Sequence, residues 1–327
     1  MPSNNIQVSV GVIINKDGKV LVTRRPRHVH QGDLWEFPGG KLITGEDSKS
    51  ALHREILEEL GLLVLKARPF LQLHYNYPDQ STVLNVWLVT EWSGVPHGKE
   101  GQPLKWIDKT ELSIHDFPAA NEKIIKALQL PRLYLISPGP QGNLPQFYFG
   151  IRNCIHAGAT LLQMRCGEEV FREEPDIITR MLAICRENNA RLLLNSSPAT
   201  AVYYNVDGVH LNSARLLQLN ERPLDNRYLV SASCHNQNEL YHAASLGVDF
   251  AVLSPVKNTP SHPDAEPLGW KKFSKIVSNS NIPVYALGGM KPGDLQDAWN
   301  YGAQGIAMLS GVWSSGNPDE MVRNCYR

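Results

Sequence analysis

Residues 39–62 read GGKLITGEDSKSALHREILEELGL, and their spacing decides what the first third of the chain can be. A helix is predicted from Ser48 to Leu60, capped by Asp47 or Ser48 and ended at Gly61, where a residue without a Cβ most easily adopts the left-handed closing conformation. Leu52, Ile56 and Leu60 recur every four residues and form its buried stripe. Glu55, Glu58 and Glu59 fall at i, i+3 and i+4, so they share a different face. Like charges gathered in this way repel, and the cluster calls for a positive partner. Three carboxylates present hard oxygen donors, which suit Mg2+ or Mn2+ rather than zinc, whose sites favour His and Cys. Mg2+ is commonly shared with substrate phosphates, which points to a diphosphate substrate. Taken alone, the EILEE segment would be an ordinary solvated helix face.

Around this helix the strand signals are IQVSVGVIIN and KVLVTRR, split by the turn Lys16-Asp17-Gly18, then FLQLHYNY and TVLNVWLVTEW around Pro78-Asp79. A closing helix, NEKIIKALQL, follows. Strands enclosing a helix predict a mixed sheet of the α+β kind. From Pro131 the rhythm changes to eight apolar runs: RLYLIS, ATLLQMR, RLLLN, DGVHLN, YLVSAS, FAVLSPV, IPVYALGG and GIAMLSG. Amphipathic segments such as PDIITRMLAICRENN separate them, as βα units require. Eight units predict a (β/α)8 TIM barrel, which commonly needs about 200 residues or more. A doubly wound open sheet is the alternative. The expected domains are 1–130 and 131–327, joined so tightly at Pro131 that restricted motion is expected.

Composition narrows the partners. Lys and Arg together number 32, as do Asp and Glu, so no global field favours nucleic acid or an anionic membrane. A small-molecule ligand is expected instead. The five cysteines are widely spaced and never form a CxxC pair, which reads as buried thiols in a reducing compartment. No basic segment followed by a long apolar run opens the chain, and no stretch approaches the roughly 20 apolar residues of a membrane span. A cytoplasmic location is expected.

The spacing Gly40, Glu46, Arg54-Glu55, Glu58-Glu59, Gly61-Leu62 resembles the Nudix box at each of its fixed positions. The segments TRR, EFPGGK, YPD, WLV, GKEGQP and DFPAANE extend the likeness to MutT-type 8-oxo-dGTP diphosphatases over roughly residues 6–130. The resemblance implies an Mg2+-dependent hydrolase, with Mn2+ as a possible substitute, that converts 8-oxo-dGTP to 8-oxo-dGMP and pyrophosphate. It implies that Glu55, Glu58 and Glu59 are metal ligands, that Arg54 and Glu46 order loop and helix, and that a carboxylate acts as base. Glu100, in GKEGQP after the last strand, is a further candidate ligand or base, against its ordinary role as an exposed loop acid. Arg25, Phe37 and Asn121 stand where that subgroup holds the purine. A carboxamide offers both donor and acceptor to a base that has gained N7–H and a C8 carbonyl. Asn121 could equally be a helix N-cap, Phe37 plain core and Arg25 a solvated charge. Lys41 beside Gly39-Gly40 is a surface lysine or a phosphate contact. Asn85 replaces an aromatic residue of the subgroup.

The later segments GATLLQMR, DGVHLN, SASCHN, SPVKNTPSHPDAEPLG, ALGGM and GIAMLSGVW resemble the thiamine-phosphate synthase/TenI family over about residues 132–315. Gly288-Gly289 after the seventh barrel strand and Ser310-Gly311 after the eighth fall where such barrels bind phosphate by backbone N–H groups. Glycines needed only for tight turns are the plain alternative. The family's Arg-Glu-Lys is Arg165-Cys166-Gly167 here, its Asn-Asp is Asn195-Ser196, and the acid that follows its HLGQ turn is absent from HLNSAR. Two expected magnesium carboxylates and a phosphate-binding lysine are therefore missing. The TenI histidine is replaced by Ser254-Pro255, while His210 and His235 stand at other strand ends. The expected barrel binds a phosphorylated small molecule without an assigned catalytic step. Two rival functions remain open: hydrolysis of damaged thiamine diphosphates, and a barrel serving as a non-catalytic regulatory module.

Overall fold

The computed structural model describes residues 5–28, 31–76, 81–140, 142–165, 167, 170, 174–259 and 265–327. The chain divides into two compact units, Met1–Gln129 and Leu130–Arg327. The Pro78-Asp79 turn and Cys166 lie outside the described residues.

The first unit contains β1 (Asn5–Ile14), β2 (Val20–Arg24), β3 (Trp35–Glu36), β4 (Gly39–Lys41), α1 (Ser48–Leu60), β5 (Leu63–Asn76), β6 (Ser81–Ser93), β7 (Leu104–Ile107) and α2 (Ala119–Leu128). Its sheet runs β3-β2-β1-β6-β5, with β4 paired to β1 and β7 to β2. Among the described residues only the β1–β6 pair is parallel, so the sheet is mixed. Alternation along the strands sorts their side chains between two helices. Ile13, Leu21, Val64 and Val89 pack with Leu52, Ile56 and Leu60 of α1. Val10, Val12, Val20, Val22, Phe70 and Val86 pack with Ile124, Ile125 and Leu128 of α2. With both faces covered, β1 and β2 are nearly continuous in apolar residues. The short strands β3, β4 and β7 were not anticipated, since two to four residues are too few to display a period. One correction follows: Glu100 precedes β7 and so lies between the sixth and seventh strands, not after the last one.

Asp47 is the N-cap of α1, accepting from the backbone N–H of Lys49 at 2.9 Å and of Ser50 at 3.0 Å. Gly61 closes the helix at φ 66°, and a Cβ there would meet His97 Cε1 at 2.4 Å. Asp47→Ala is expected to destabilise this unit by about 1 kcal/mol, read as a lowered chemical-denaturation midpoint.

The second unit is a closed parallel barrel of eight strands: β8 (Leu133–Ile136), β9 (Leu161–Met164), β10 (Arg191–Leu194), β11 (Gly208–Leu211), β12 (Leu229–Cys234), β13 (Phe250–Leu253), β14 (Val284–Ala286) and β15 (Gly305–Met308). Each falls in one of the eight predicted runs, save that β12 extends one residue past YLVSAS to Cys234, and closure excludes the doubly wound sheet. Strand residues that point inward, among them Tyr134, Leu161, Leu193, Phe250 and Tyr285, fill the barrel. Tyr134 meets Phe250 edge-on at 5.1 Å. Their alternates join the helices in a second apolar layer. Cys154, Cys185, Cys234 and Cys325 are free and buried. Burial pushes the thiols of the first three up to about 12 and that of Cys325 to about 11. Among the described residues no helix is long and apolar enough to cross a membrane.

Candidate active site

The polar face of α1 meets the loop at β4 through Arg54. Its guanidinium donates to both oxygens of Glu46, from Nε at 3.0 Å and Nη2 at 2.9 Å. Nη1 reaches Glu55 at 2.7 Å and Glu58 at 3.1 Å, and Nη2 also donates to the Lys41 carbonyl at 3.1 Å. Glu46 in turn accepts from the Ile43 N–H at 3.1 Å, so the loop folds back on the helix. The Arg54 fork holds the Glu46 carboxyl below the usual range. Lys41 itself projects an exposed side chain and takes part through its backbone.

Two glycines let the loop approach. A Cβ on Gly39, whose φ is 146°, would stand 2.1 Å from the Ser9 carbonyl oxygen. A Cβ on Gly40 would stand 2.3 Å from the Glu55 carboxylate. That carboxylate therefore lies against bare backbone in a cradle that any side chain would fill.

Glu59 is the most perturbed of the acids. Its Oε2 accepts from the Gly39 N–H at 3.2 Å. Burial above all, then the negative charges of Glu36, Glu55 and Glu100, push its carboxyl up to about 8. The segment after β6 carries Glu100 to this end of the helix by satisfying carbonyls that the helix leaves open. The Lys99 N–H and the Gln102 side-chain amide both reach the Glu59 carbonyl, at 2.9 and 3.1 Å, and Lys99 Nζ reaches Leu57 O at 3.1 Å.

Sequence reasoning missed Glu36, which pairs with Arg25 at the edge of the same acidic group. Burial raises its carboxyl and Arg25 opposes that shift. The only signal was its place beside Trp35 and Phe37 in the segment leading to Gly39. Phe37 is buried and stacks on Phe117 at 5.7 Å. Asn121 is not the N-cap: Pro118 occupies that position, and the Asn121 N–H donates to the Pro118 carbonyl at 2.8 Å inside the first turn of α2. Its carboxamide has no hydrogen-bond partner among the described residues.

As arranged, no three His, Cys, Asp or Glu side chains among the described residues stand close enough together to share one ion. Glu55 and Glu58 each lend an oxygen to Arg54. The donor chemistry nevertheless suits a hard divalent cation: the acids are all carboxylates, and among the described residues Glu59 is buried beside like charges with no cationic side chain of its own. Glu58 lies on the exposed face of the helix.

The barrel has its own polar site, a cavity of about 790 Å3 at the C-terminal ends of the strands. Arg165, Asn195, His210, Gly288, Gly289, Ser310 and Gly311 all face it. His210 is wedged between two hydroxyls, Nδ1 at 2.8 Å from Ser231 Oγ and Nε2 at 2.8 Å from Ser233 Oγ. Burial, reinforced by the positive charges of Arg165 and Arg215, lowers its pKa to about 3, so the ring is neutral. His235 sits just past β12 with Nδ1 on the Ser254 carbonyl at 2.9 Å. The glycines have packing reasons of their own. A Cβ on Gly288 would lie 2.7 Å from Pro255 Cα, on Gly289 2.4 Å from Asn258 O, and on Gly311 2.1 Å from Met290 O. Among the described residues the N–H groups of Gly288 and Gly289 donate to no backbone acceptor.

Comparison with known proteins accounts for both units. The thiamine monophosphate synthase family matches residues 133–312, more than half of the chain, and the NUDIX domain matches residues 9–127. An 8-oxo-dGTP diphosphatase of Escherichia coli K12 is 41% identical over 124 residues, covering 38% of this chain and 96% of that protein. A putative thiamine-phosphate synthase 2 of Aquifex aeolicus is 31% identical over 183 residues, covering 56% of this chain and 98% of that protein. The solved thiamine phosphate pyrophosphorylase of Pyrococcus furiosus, at 23% identity and a TM-score of 0.50, covers 60% of this chain and 93% of its own, and shares the barrel fold. The chain is a Nudix hydrolase of the MutT-like group joined to a member of the thiamine monophosphate synthase/TenI family.

Proposed function

We propose that the N-terminal unit hydrolyses 8-oxo-dGTP to 8-oxo-dGMP and pyrophosphate, with Mg2+ held by Glu55, Glu58, Glu59 and Glu100. The observation that carries this is the buried Glu59 carboxyl, raised by burial and by three neighbouring acids and supplied with no cationic partner of its own among the described residues. A divalent ion bound there would neutralise charge on the phosphate oxygens and act as a Lewis acid; Mn2+ would serve in its place. Arg54 and Glu46 hold the loop of Gly39 and Gly40 against the helix, so that backbone and carboxylates meet the phosphates together. A carboxylate of this group would accept the proton of the attacking water. Lys41 offers an exposed cation to the phosphate chain.

Phe37, stacked on Phe117, forms an aromatic wall for the purine, and the unengaged carboxamide of Asn121 is free to read its edge. Arg25 acts through Glu36, which it holds in place. The barrel binds a phosphorylated small molecule on the amides of Gly288, Gly289, Ser310 and Gly311, with Arg165 as a cationic wall.

Steady-state kinetics test the substrate. The kcat/KM for 8-oxo-dGTP should exceed that for dGTP, and Asn121→Ala should lower the former about ten- to a hundredfold while eroding the preference. Equal efficiency on the two nucleotides, or a preference for an oxidised thiamine diphosphate, overturns the assignment.

A further inference from the structure

The barrel cavity carries a charge pattern that phosphate binding on backbone amides leaves unused. Its described lining holds two guanidinium groups, Arg165 just after β9 and Arg215 shortly after β11, and no carboxylate. No acid pairs with either arginine among the described residues. Arg215 Nη1 instead donates to the Asn195 amide oxygen at 3.2 Å, and Asn195 Nδ2 donates to Gln163 Oε1 at 3.3 Å. Arg215 is thus held over the cavity by neutral groups, with no acid to offset it among the described residues. Both arginines stand close enough to His210 to disfavour its protonation.

A divalent ion does not fit this lining. Mg2+ requires hard anionic oxygen donors, and the described walls offer amides, hydroxyls and two fixed cations that would repel it. An anion does fit, because a guanidinium fork binds carboxylate and phosphate alike.

We propose that the barrel cavity takes a small ligand bearing two anionic groups and takes it without a divalent ion, one group being a phosphate on the Gly288-Gly289 and Ser310-Gly311 amides and the other lying on Arg165 and Arg215. The Arg215 guanidinium supplies the charge compensation that a metal would otherwise give. This rests on the phosphate-binding role proposed above and adds to it the second anionic group and the independence from metal.

Calorimetry on the full chain in EDTA tests it. The probes are 3-phosphoglycerate and 6-phosphogluconate, each carrying a phosphate and a carboxylate, against glycerol 3-phosphate and glucitol 6-phosphate, which keep only the phosphate. At least one acid-bearing probe should bind about tenfold or more tightly than its counterpart. Arg215→Gln and Arg165→Gln should each reduce that advantage, with circular dichroism verifying that the barrel is folded. A titration of the Glu59→Gln protein with added Mg2+ isolates the barrel from the N-terminal carboxylates. If the monoesters bind but the carboxylate adds nothing, or if binding appears only with Mg2+, the proposal is overturned while the phosphate site stands. If neither the monoesters nor inorganic phosphate bind, the phosphate site itself has failed and the proposal goes with it.

Discussion

Replacing Glu59 with glutamine is expected to lower hydrolysis about 10³-fold while leaving the protein folded. The amide has nearly the shape of the acid, and its oxygen can still accept from the Gly39 N–H that Glu59 engages at 3.2 Å. What is lost is a negative charge in a buried place beside Glu36, Glu55 and Glu100. A charge so placed strains folding rather than supporting it. Its folded carboxyl lies near 8 against a usual value of 4.5, so the wild type loses stability as pH rises through that interval. The variant escapes this loss, and its melting temperature at pH 8 in EDTA should equal or exceed that of the wild type. The combination of lost turnover and retained or raised stability distinguishes a working carboxylate from a structural one. Mn2+ binding followed by electron paramagnetic resonance should weaken about tenfold or more. Turnover within about tenfold of wild type would remove Glu59 from the chemistry.

How much of this was legible in the sequence depends on the length over which each feature repeats. Helix α1 was readable to its ends because a cap, a stripe of leucines and isoleucine, and a closing glycine all agree on one segment. The eight barrel strands were readable because each is an apolar run bounded by turns, and both of its faces are covered. Strands β3, β4 and β7 hold two to four residues, and their existence depends on partners distant in the chain, such as Gly39 opposite Val10. The same limit applies within the site. Glu55, Glu58 and Glu59 announce themselves by spacing along one helix, whereas Glu36 joins them only because β3 pairs with β2. Asn121 shows the converse, since a sequence cap signal was overridden when Pro118 took the N-cap position and left the carboxamide without a partner among the described residues. In the barrel, the loss of two expected acids was visible in the sequence. That Arg215 turns back onto Asn195 became visible only with the fold.

The barrel should be acid-sensitive, and His210 should be a main cause. Its ring touches Ser231 and Ser233 of β12 and lies 3.3 Å from the Tyr134 hydroxyl of β8, with the charges of Arg165 and Arg215 nearby and no acid beside it among the described residues. Every neighbour among the described residues is neutral or positive, so protonation finds no compensation there. The folded pKa is lowered to about 3 from an ordinary 6.5, and the unfolded chain therefore binds the proton first. By linkage, the full contribution of the neutral ring is present above about pH 6.5 and is lost as pH falls toward 3. Over the two units from pH 6.5 to 4.5 the loss amounts to about 2–3 kcal/mol. Carboxylates elsewhere titrate in the same range, but they do so equally in a His210→Gln variant. The variant forfeits some packing and a hydrogen bond and should be the less stable protein at pH 7. Its deficit relative to wild type should then shrink by that amount on acidification, measured as paired denaturant unfolding curves of the barrel transition at pH 6.5, 5.5 and 4.5. Parallel stability profiles would mean that the imidazole ionises freely and is not sealed among the hydroxyls. An imidazole carbon resonance that titrates between pH 5 and 7 in the folded protein would say the same.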